Sequence, residues 1–395
     1  MARVVYLHVG TAKSGTTYLQ RMMADNREVL RQHGYLYPGP RSSHFMESLS
    51  LRDTTFKGHT YPAAEGAWER TAEEVRQFPG QALISHETLG NAMPRTIRRA
   101  VESFPGSDVR VIITCRDLGR QIPAAFQERV KNGNPQAYAD YLSRMFETWE
   151  GPGSDGKLFW RTQNLAELGR RWAAVVGEEN VRLVTVPKHG AAPDELWRRF
   201  AQAAELPETD YVVSEGARNT SLGTVETELL RRLNGYFPSD LPWLRYQRAV
   251  KRRLVKNDLA PSQLGGRLSV PEQYQKATDE AAESMIEAVR SRGFAVVGDL
   301  EDLRPSYRTE ATQPDDLTAD QLLDLSLRIL SKKVFIRPGR RNAAPQLSGR
   351  EAARVMGRAV RRRVGRLRAR SRAGRGRPRP ARARQPRPGP GAPGS

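Results

Sequence analysis

The chain has 395 residues, a formal net charge of +20, 38% hydrophobic residues and one cysteine, Cys115. A single cysteine excludes an intrachain disulfide and any thiolate metal cluster, which fits a reducing, cytoplasmic setting. No run of about 18 apolar residues is present, so no transmembrane segment is expected, and no charged, apolar and small-residue leader pattern opens the sequence. Residues 350–395 hold sixteen arginines, no lysine and one acid, Glu351, which accounts for +15 of the charge and leaves +5 for residues 1–349. The body is therefore only mildly basic, and its charge alone demands no nucleic-acid partner.

Residues 4–9 form a short apolar run that stops at Gly10 and reads as a buried strand. Helical periodicity follows over 16–32 and is broken by Gly34 and Pro38. Residues 41–61 mix polar types without a period and are expected to form a loop over the site. A helix over 66–78 puts Trp68, Ala72 and Val75 on one face, and a second strand over 81–85 ends at His86-Glu87. A helix over 95–104 is closed by Pro105-Gly106. The β-branched run 109–115 is the best strand; it exits into Arg116-Asp117 and a helix that ends near 131 at Asn132-Gly133. Helices over 136–149 and 163–176, a strand over 181–186 and a helix from Pro193 to Ala204 complete the first part. From about 221 the pattern is helical, over 223–234, 242–256, 272–291 and 318–331.

Strands spaced by helices imply an α/β fold, a parallel sheet flanked by helices on both faces, with a mostly helical C-terminal half. One domain over 1–335 is expected, with its motifs in 1–205 and a helical part over 220–335. The segment 337–395 is rich in Arg, Pro, Gly and Ala and buries too little surface to offset chain entropy, so a disordered basic tail is expected. Residues 354–372 within it could lie as a basic helix on an anionic surface.

Three constellations stand at or just beyond predicted strand ends, where ligands bind in such sheets. The first is the loop Gly10-Thr11-Ala12-Lys13-Ser14-Gly15-Thr16-Thr17 between strand and helix. Backbone N–H groups and the helix dipole converge there on one anion, Lys13 adds a mobile charge, and the hydroxyls add neutral donors. In the triphosphate loop G-x-x-x-x-G-K-[ST] the lysine follows the second glycine; here it precedes Gly15. The second is Arg116, whose planar fork suits a terminal phosphate, with pairing to Asp117 or Glu128 as its other use. The third is Ser85-His86-Glu87-Thr88, where strand alternation aims one of two proton acceptors at the loop; local capping is the competing use. Gln127, Glu128 and Lys131 share a helix face and read as a solvated surface rather than a pocket wall. Ser221, in Arg218-Asn219-Thr220-Ser221, stands where it could cap the next helix. His44, His59 and His189 lack metal-ligand spacing, so no metal site is expected.

In this order the motifs resemble those of the sulfotransferases that use 3′-phosphoadenosine-5′-phosphosulfate (PAPS), in their bacterial, carbohydrate-type form. Tyr35-Leu36-Tyr37-Pro38-Gly39 is similar to bacterial members as well. The resemblance implies a P-loop-like sulfotransferase fold in which Gly10, Lys13, Ser14, Gly15, Thr16 and Thr17 hold the 5′-phosphosulfate and Arg116 the 3′-phosphate. It implies Glu87 as the base, with His86 as the alternative, since a histidine serves in the cytosolic small-molecule type. Asn219 and Ser221 become candidate cofactor contacts. The family's serine eight residues after the arginine is Ala124 here, which leaves Arg120 or Gln121 to substitute. The implied activity is in-line sulfuryl transfer, without a metal, to a hydroxyl or amine of a carbohydrate, glycolipid or small-molecule acceptor. Two other readings stay open: a P-loop kinase using ATP and magnesium, and a non-catalytic protein whose basic tail grips nucleic acid or an anionic membrane surface.

Overall fold

The computed structural model describes residues 2–149, 151, 159–213, 221–308 and 311–335. Six strands, β1 (Val4–Gly10), β2 (Tyr35–Leu36), β3 (Gln81–Ser85), β4 (Asp108–Cys115), β5 (Val181–Thr185) and β6 (Ala295–Val297), form one parallel sheet. Its order is β2-β3-β1-β4-β5-β6. The period of two along each strand sends alternate residues to opposite faces. Val5, Leu7 and Val9 join one cluster with Val111 and Ile113, while Tyr6 joins another with Leu83, Ile112 and Val184. Trp68, Ile97, Leu168 and Ile286 cover the first face from the helices Ala67–Gln77, Pro94–Glu102, Leu165–Val176 and Glu272–Arg292. Leu19, Met22, Trp197 and Phe200 cover the second from Thr16–Asp25 and Glu195–Ala203. This double cover is what parallel strands require, because their crossovers lie on the faces.

A third cluster is built by the helical second half. The helix Leu118–Lys131 carries Ile122, Phe126 and Val130 into it, where they meet Tyr138, Leu142, Trp160, Leu230, Trp243 and Leu325. That helix therefore starts at the end of β4 and finishes inside the helical part, which brings both halves to one site.

Several expectations are refined. The segment 41–61 contains the helix Phe45–Arg52, whose buried face carries Glu47 and Ser48 beside Leu49 and Leu51. Ser48 bonds Thr88 at 2.5 Å; buried polar residues with specific partners hid the period. The expected helix 16–32 breaks at Asn26, whose side chain bonds Met22 O and the backbone of Val212. The expected helix 242–256 is a short turn, Trp243–Tyr246, continued by a π-helix, Gln247–Leu259. The tail from 337 lies outside the described residues. Among the described residues, no helix is long and apolar enough to cross a membrane.

Candidate functional site

β1 ends at Gly10 with φ 100°, and a Cβ there would sit 3.0 Å from the Cα and Cβ of Glu87. Only glycine takes this turn while letting the loop touch the residue after β3. Thr11 N donates to Thr114 O at 2.5 Å, tying the loop to β4. Lys13 is left-handed (φ 70°), and Gly15 precedes the helix Thr16–Asp25. The N–H groups of Thr16 and Thr17 stand in the first turn, where a helix offers them no acceptor.

A polar relay runs beneath the loop through the ends of three adjacent strands. Ser85 Oγ lies 2.7 Å from His8 Nδ1, His8 Nε2 3.1 Å from Thr114 Oγ1, and Thr114 Oγ1 2.6 Å from Ser14 Oγ. Ser14 donates to Thr11 O at 2.5 Å. Since each hydroxyl has one proton, that last bond orients the chain: Thr114 donates to Ser14, His8 Nε2–H to Thr114, and Ser85 to His8 Nδ1. The Ser14 hydroxyl is thus fully buried, holding the loop's shape, while Thr17 is exposed.

His8 must be neutral to serve, and burial lowers it to about 3. His44 is likewise buried and lowered to about 4; it takes Ser85 N on Nδ1 and donates from Nε2 to Pro38 O, each at 3.0 Å. An unfolded histidine titrates near 6.5, so below that pH the unfolded chain binds two protons at these residues that the folded chain refuses. Their contribution is complete above about pH 6.5 and falls as acid approaches the folded values. Two protons give a loss of about 2.7 kcal/mol per pH unit near pH 5. Urea titrations at pH 7, 6 and 5 should show this slope, and a flat profile would contradict neutral buried histidines.

Glu87 begins a 3₁₀ turn, Glu87–Asn91, immediately beyond β3. Its Oε2 accepts from Gln20 Nε2 at 3.4 Å and lies 3.8 Å from His86 Nε2. Burial opposes its charge; against that, the His86 ring where acid protonates it, its own backbone N–H, Lys13 and Gln20 hold the carboxyl below its ordinary value. His86 is buried, rests on Phe45 at 5.1 Å and takes Thr88 N on Nδ1 at 3.2 Å. Burial lowers it in spite of Glu87, so it is a neutral neighbour. The pair therefore presents an ionised carboxylate toward Gly10 and Lys13 and a packed imidazole behind it.

Lys13 Nζ reaches Glu128 Oε2 at 2.6 Å, and Lys251 Nζ meets Glu128 Oε1 at 3.2 Å. Burial opposes the Glu128 charge, yet Lys13, Lys251 and Lys131 hold it down at about 2. The face of Gln127, Glu128 and Lys131 is thus only partly solvated: Gln127 is buried and bonds Leu222 O at 2.6 Å, while Glu128 stays about a third exposed.

On the other side of the loop a cavity of about 590 Å³ collects Arg116, Arg120, Arg267, Arg308, His189 and Ser221. Asp117 caps the helix Leu118–Lys131 by accepting from Arg120 N at 3.0 Å, pairs with the Arg120 guanidinium, and accepts from Ser306 N at 3.2 Å. Arg120 also donates to Pro187 O at 3.1 Å. Arg116 pairs with neither Asp117 nor Glu128; it reaches Lys13 O at 3.3 Å, and its Nε is buried without a partner. Burial, with Arg120, Arg267 and Arg308 nearby, lowers it to about 10, Asp117 offsetting part. Among the described residues Arg267 and Arg308 have no side-chain ion pair. Gly119 explains how Arg308 arrives: a Cβ there would lie 2.6 Å from Ser306 O and 2.9 Å from Ser306 N. Its absence lets the segment 304–308 cross the helix start.

Ala124 lines this cavity, together with the serines Ser221, Ser269 and Ser306. The helix expected to be capped by Ser221 starts later, at Thr224 after Gly223, so Ser221 is free of that duty. Asn219 lies outside the described residues. Arg267, Arg308 and Lys251 carry no sequence signal in isolation, and only the Gly265-Gly266-Arg267 tripeptide hints at a close backbone approach. Among the described residues no group of three His, Cys, Asp or Glu side chains could hold a metal ion.

No protein-family model matches the chain, and no curated protein does. Among solved structures, the crystal structure of a sulfotransferase from Alicyclobacillus acidocaldarius is similar at 17% identity, with a TM-score of 0.38, covering 65% of this chain and 98% of that one. A likeness at that level identifies no residue of the site.

Proposed function

We propose that the protein transfers a sulfuryl group from PAPS to a hydroxyl or amine of an acceptor. The supporting observation is a convergence at the ends of β3, β1 and β4: a strand-to-helix loop with Lys13, an ionised Glu87, and an arginine-rich cavity. The residues fit a 3′-phosphorylated nucleotide. The cavity has the volume of a small-ligand site, four guanidiniums line it against one buried carboxylate, and Arg116 Nε lacks a partner.

In this reading Arg116, Arg267 and Arg308 hold the 3′-phosphate, with Ser221 beside them, while Arg120 positions the cavity wall through Asp117. Gly10, Lys13, Gly15, Thr16 and Thr17 hold the phosphosulfate end, and Ser14 supports the loop from below. Bound PAPS would supply an activated sulfuryl group with a phosphate leaving group. Lys13 sets positive charge where negative charge grows on that leaving group, a preorganised term that is usually large. Glu87 accepts the acceptor's proton at a carboxylate oxygen, and Gln20 keeps that carboxylate oriented. The acceptor itself, whether sugar, glycolipid or small molecule, is not fixed by these residues.

Acceptor-dependent release of adenosine 3′,5′-bisphosphate from PAPS, unchanged by EDTA, is the expected result with a panel of alcohols and amines. Magnesium-dependent phosphorylation from ATP would overturn the reading. Gly119→Ala should weaken adenosine 3′,5′-bisphosphate binding about tenfold, roughly 1.4 kcal/mol, by displacing Ser306 and with it Arg308. Unchanged affinity by calorimetry would remove Arg308 from the site.

A further inference from the structure

A second cavity, of about 430 Å³, has Lys57, Asn132, Phe237, Trp243 and Tyr246 among its lining residues. Its wall is aromatic: Trp243 stacks on Tyr246 with ring centroids 5.8 Å apart, and Phe237 meets Tyr246 edge-on at the same separation. Its rim is cationic. Lys251 Nζ sits 5.6 Å from the Trp243 ring centre and donates to Asn132 Oδ1 at 2.6 Å. Through Glu128, which bonds Lys251 at 3.2 Å and Lys13 at 2.6 Å, the rim adjoins the loop.

The charges here do not balance. Lys13, Lys57, Arg129, Lys131 and Lys251 gather around this wall, and Glu128 is the only carboxylate paired with any of them among the described residues. Lys57 and Lys131 have no hydrogen-bonded partner among the described residues, and Arg129 Nε is buried without one. Burial, with Lys13 and Lys251 close by, lowers the Lys131 ammonium to about 8 in spite of Glu128. Burial, Arg129 and Lys251 lower Lys57 as well. Holding cations this close without counter-charge, all but Lys57 of them part-buried, is unfavourable, and an incoming anion relieves it. A neutral ligand would leave the imbalance in place.

We propose that this cavity receives the acceptor and selects one that carries a carboxylate or sulfate on a sugar or aromatic ring. The inference rests on the sulfotransferase reading for the word acceptor; the preference for an anion rests on the rim alone. Lys57 and Lys251 hold the anionic group, and the Lys131 charge adds to the field beside Lys251. The ring lies along Phe237 and Trp243, and the cavity leads its hydroxyl toward Lys13 and Glu87. The chain's position on a route of successive modifications follows: the step before it makes or exposes a ring that already bears negative charge.

The test is calorimetry on the full chain with three probes that share one frame: 4-nitrophenyl β-glucoside, its 6-sulfate, and 4-nitrophenyl β-glucuronide. One or both anionic probes should bind at least about tenfold more tightly than the glucoside, and which one does so identifies the anion. In Lys57→Gln/Lys251→Gln that preference should fall to within about twofold, with an unchanged melting temperature and unchanged affinity for adenosine 3′,5′-bisphosphate. Lys57 is exposed and Lys251 lies at the rim, so the fold should tolerate both changes; Lys131→Met serves as an independent variant and should reduce the same preference. Equal binding of all three probes by the unaltered chain, or a preference that survives both variants, overturns the proposal. If the anion preference holds and adenosine 3′,5′-bisphosphate does not bind, the cavity's selectivity stands and the sulfotransferase reading falls.

Discussion

Lys13→Ala is expected to lower kcat for the proposed sulfuryl transfer by about 10²- to 10³-fold, the scale for losing one preorganised charge-stabilising donor. Its effect on stability should be small. The ion pair with Glu128 is about a third exposed on both sides, and such pairs contribute roughly 0–1 kcal/mol. Glu128 also keeps Lys251 at 3.2 Å. Lys13→Gly makes a sharper companion. Lys13 occupies left-handed backbone at φ 70°, a conformation that costs a non-glycine residue about 1 kcal/mol. The glycine variant should therefore be as stable as the parent, or slightly more so, and equally slow. Single-turnover rates beside urea unfolding would check both. A Lys13→Ala variant with full kcat would remove the lysine from the chemistry.

Glu87→Gln is expected to lower kcat by about 10²- to 10⁴-fold, the range for general base catalysis, while adenosine 3′,5′-bisphosphate binds as before. The substitution keeps shape and the contact with Gln20, so the loss would report the proton acceptor rather than a collapsed turn. His86→Asn is its control. His86 is neutral, buried against Phe45 and occupied with Thr88, so its loss should disturb Glu87 and reduce the rate by about tenfold or less. Full activity in Glu87→Gln together with loss in His86→Asn would transfer the base to the imidazole.

The chain signals its frame and the front of its candidate site clearly. β1, β3, β4 and β5 are apolar or β-branched runs closed by turn residues, and the parallel, doubly covered sheet follows from their spacing. β2 and β6 are two and three residues long, too short for a period to register. Gly10 to Thr17, Glu87 and Arg116 are legible because each sits directly at a strand end. Arg267 and Arg308 are not, because tertiary contacts deliver them. Gly265 lets its loop pass within 2.5 Å of Val225 N, measured from where a Cβ would stand, and Thr224 N bonds Gly266 O at 2.8 Å. Arg308 arrives through Gly119 in the same way. His8 reads locally as one more strand residue; its role depends on Ser85 and Thr114, 77 and 106 residues away. Glu128 reads as a solvated helix position until Lys251 is brought to it from the helical half.

On the proposed function, the arginine cavity and the loop together bind a 3′-phosphorylated adenosine nucleotide. Titration calorimetry of the full chain with adenosine 3′,5′-bisphosphate, ADP and magnesium-ATP tests it most directly, with Arg116→Ala alongside. Magnesium-independent binding of the bisphosphate, tighter than either other nucleotide and weakened by at least about tenfold in Arg116→Ala, is the expected result. Equal affinity for ADP, a preference for magnesium-ATP, or unchanged affinity in Arg116→Ala would contradict it.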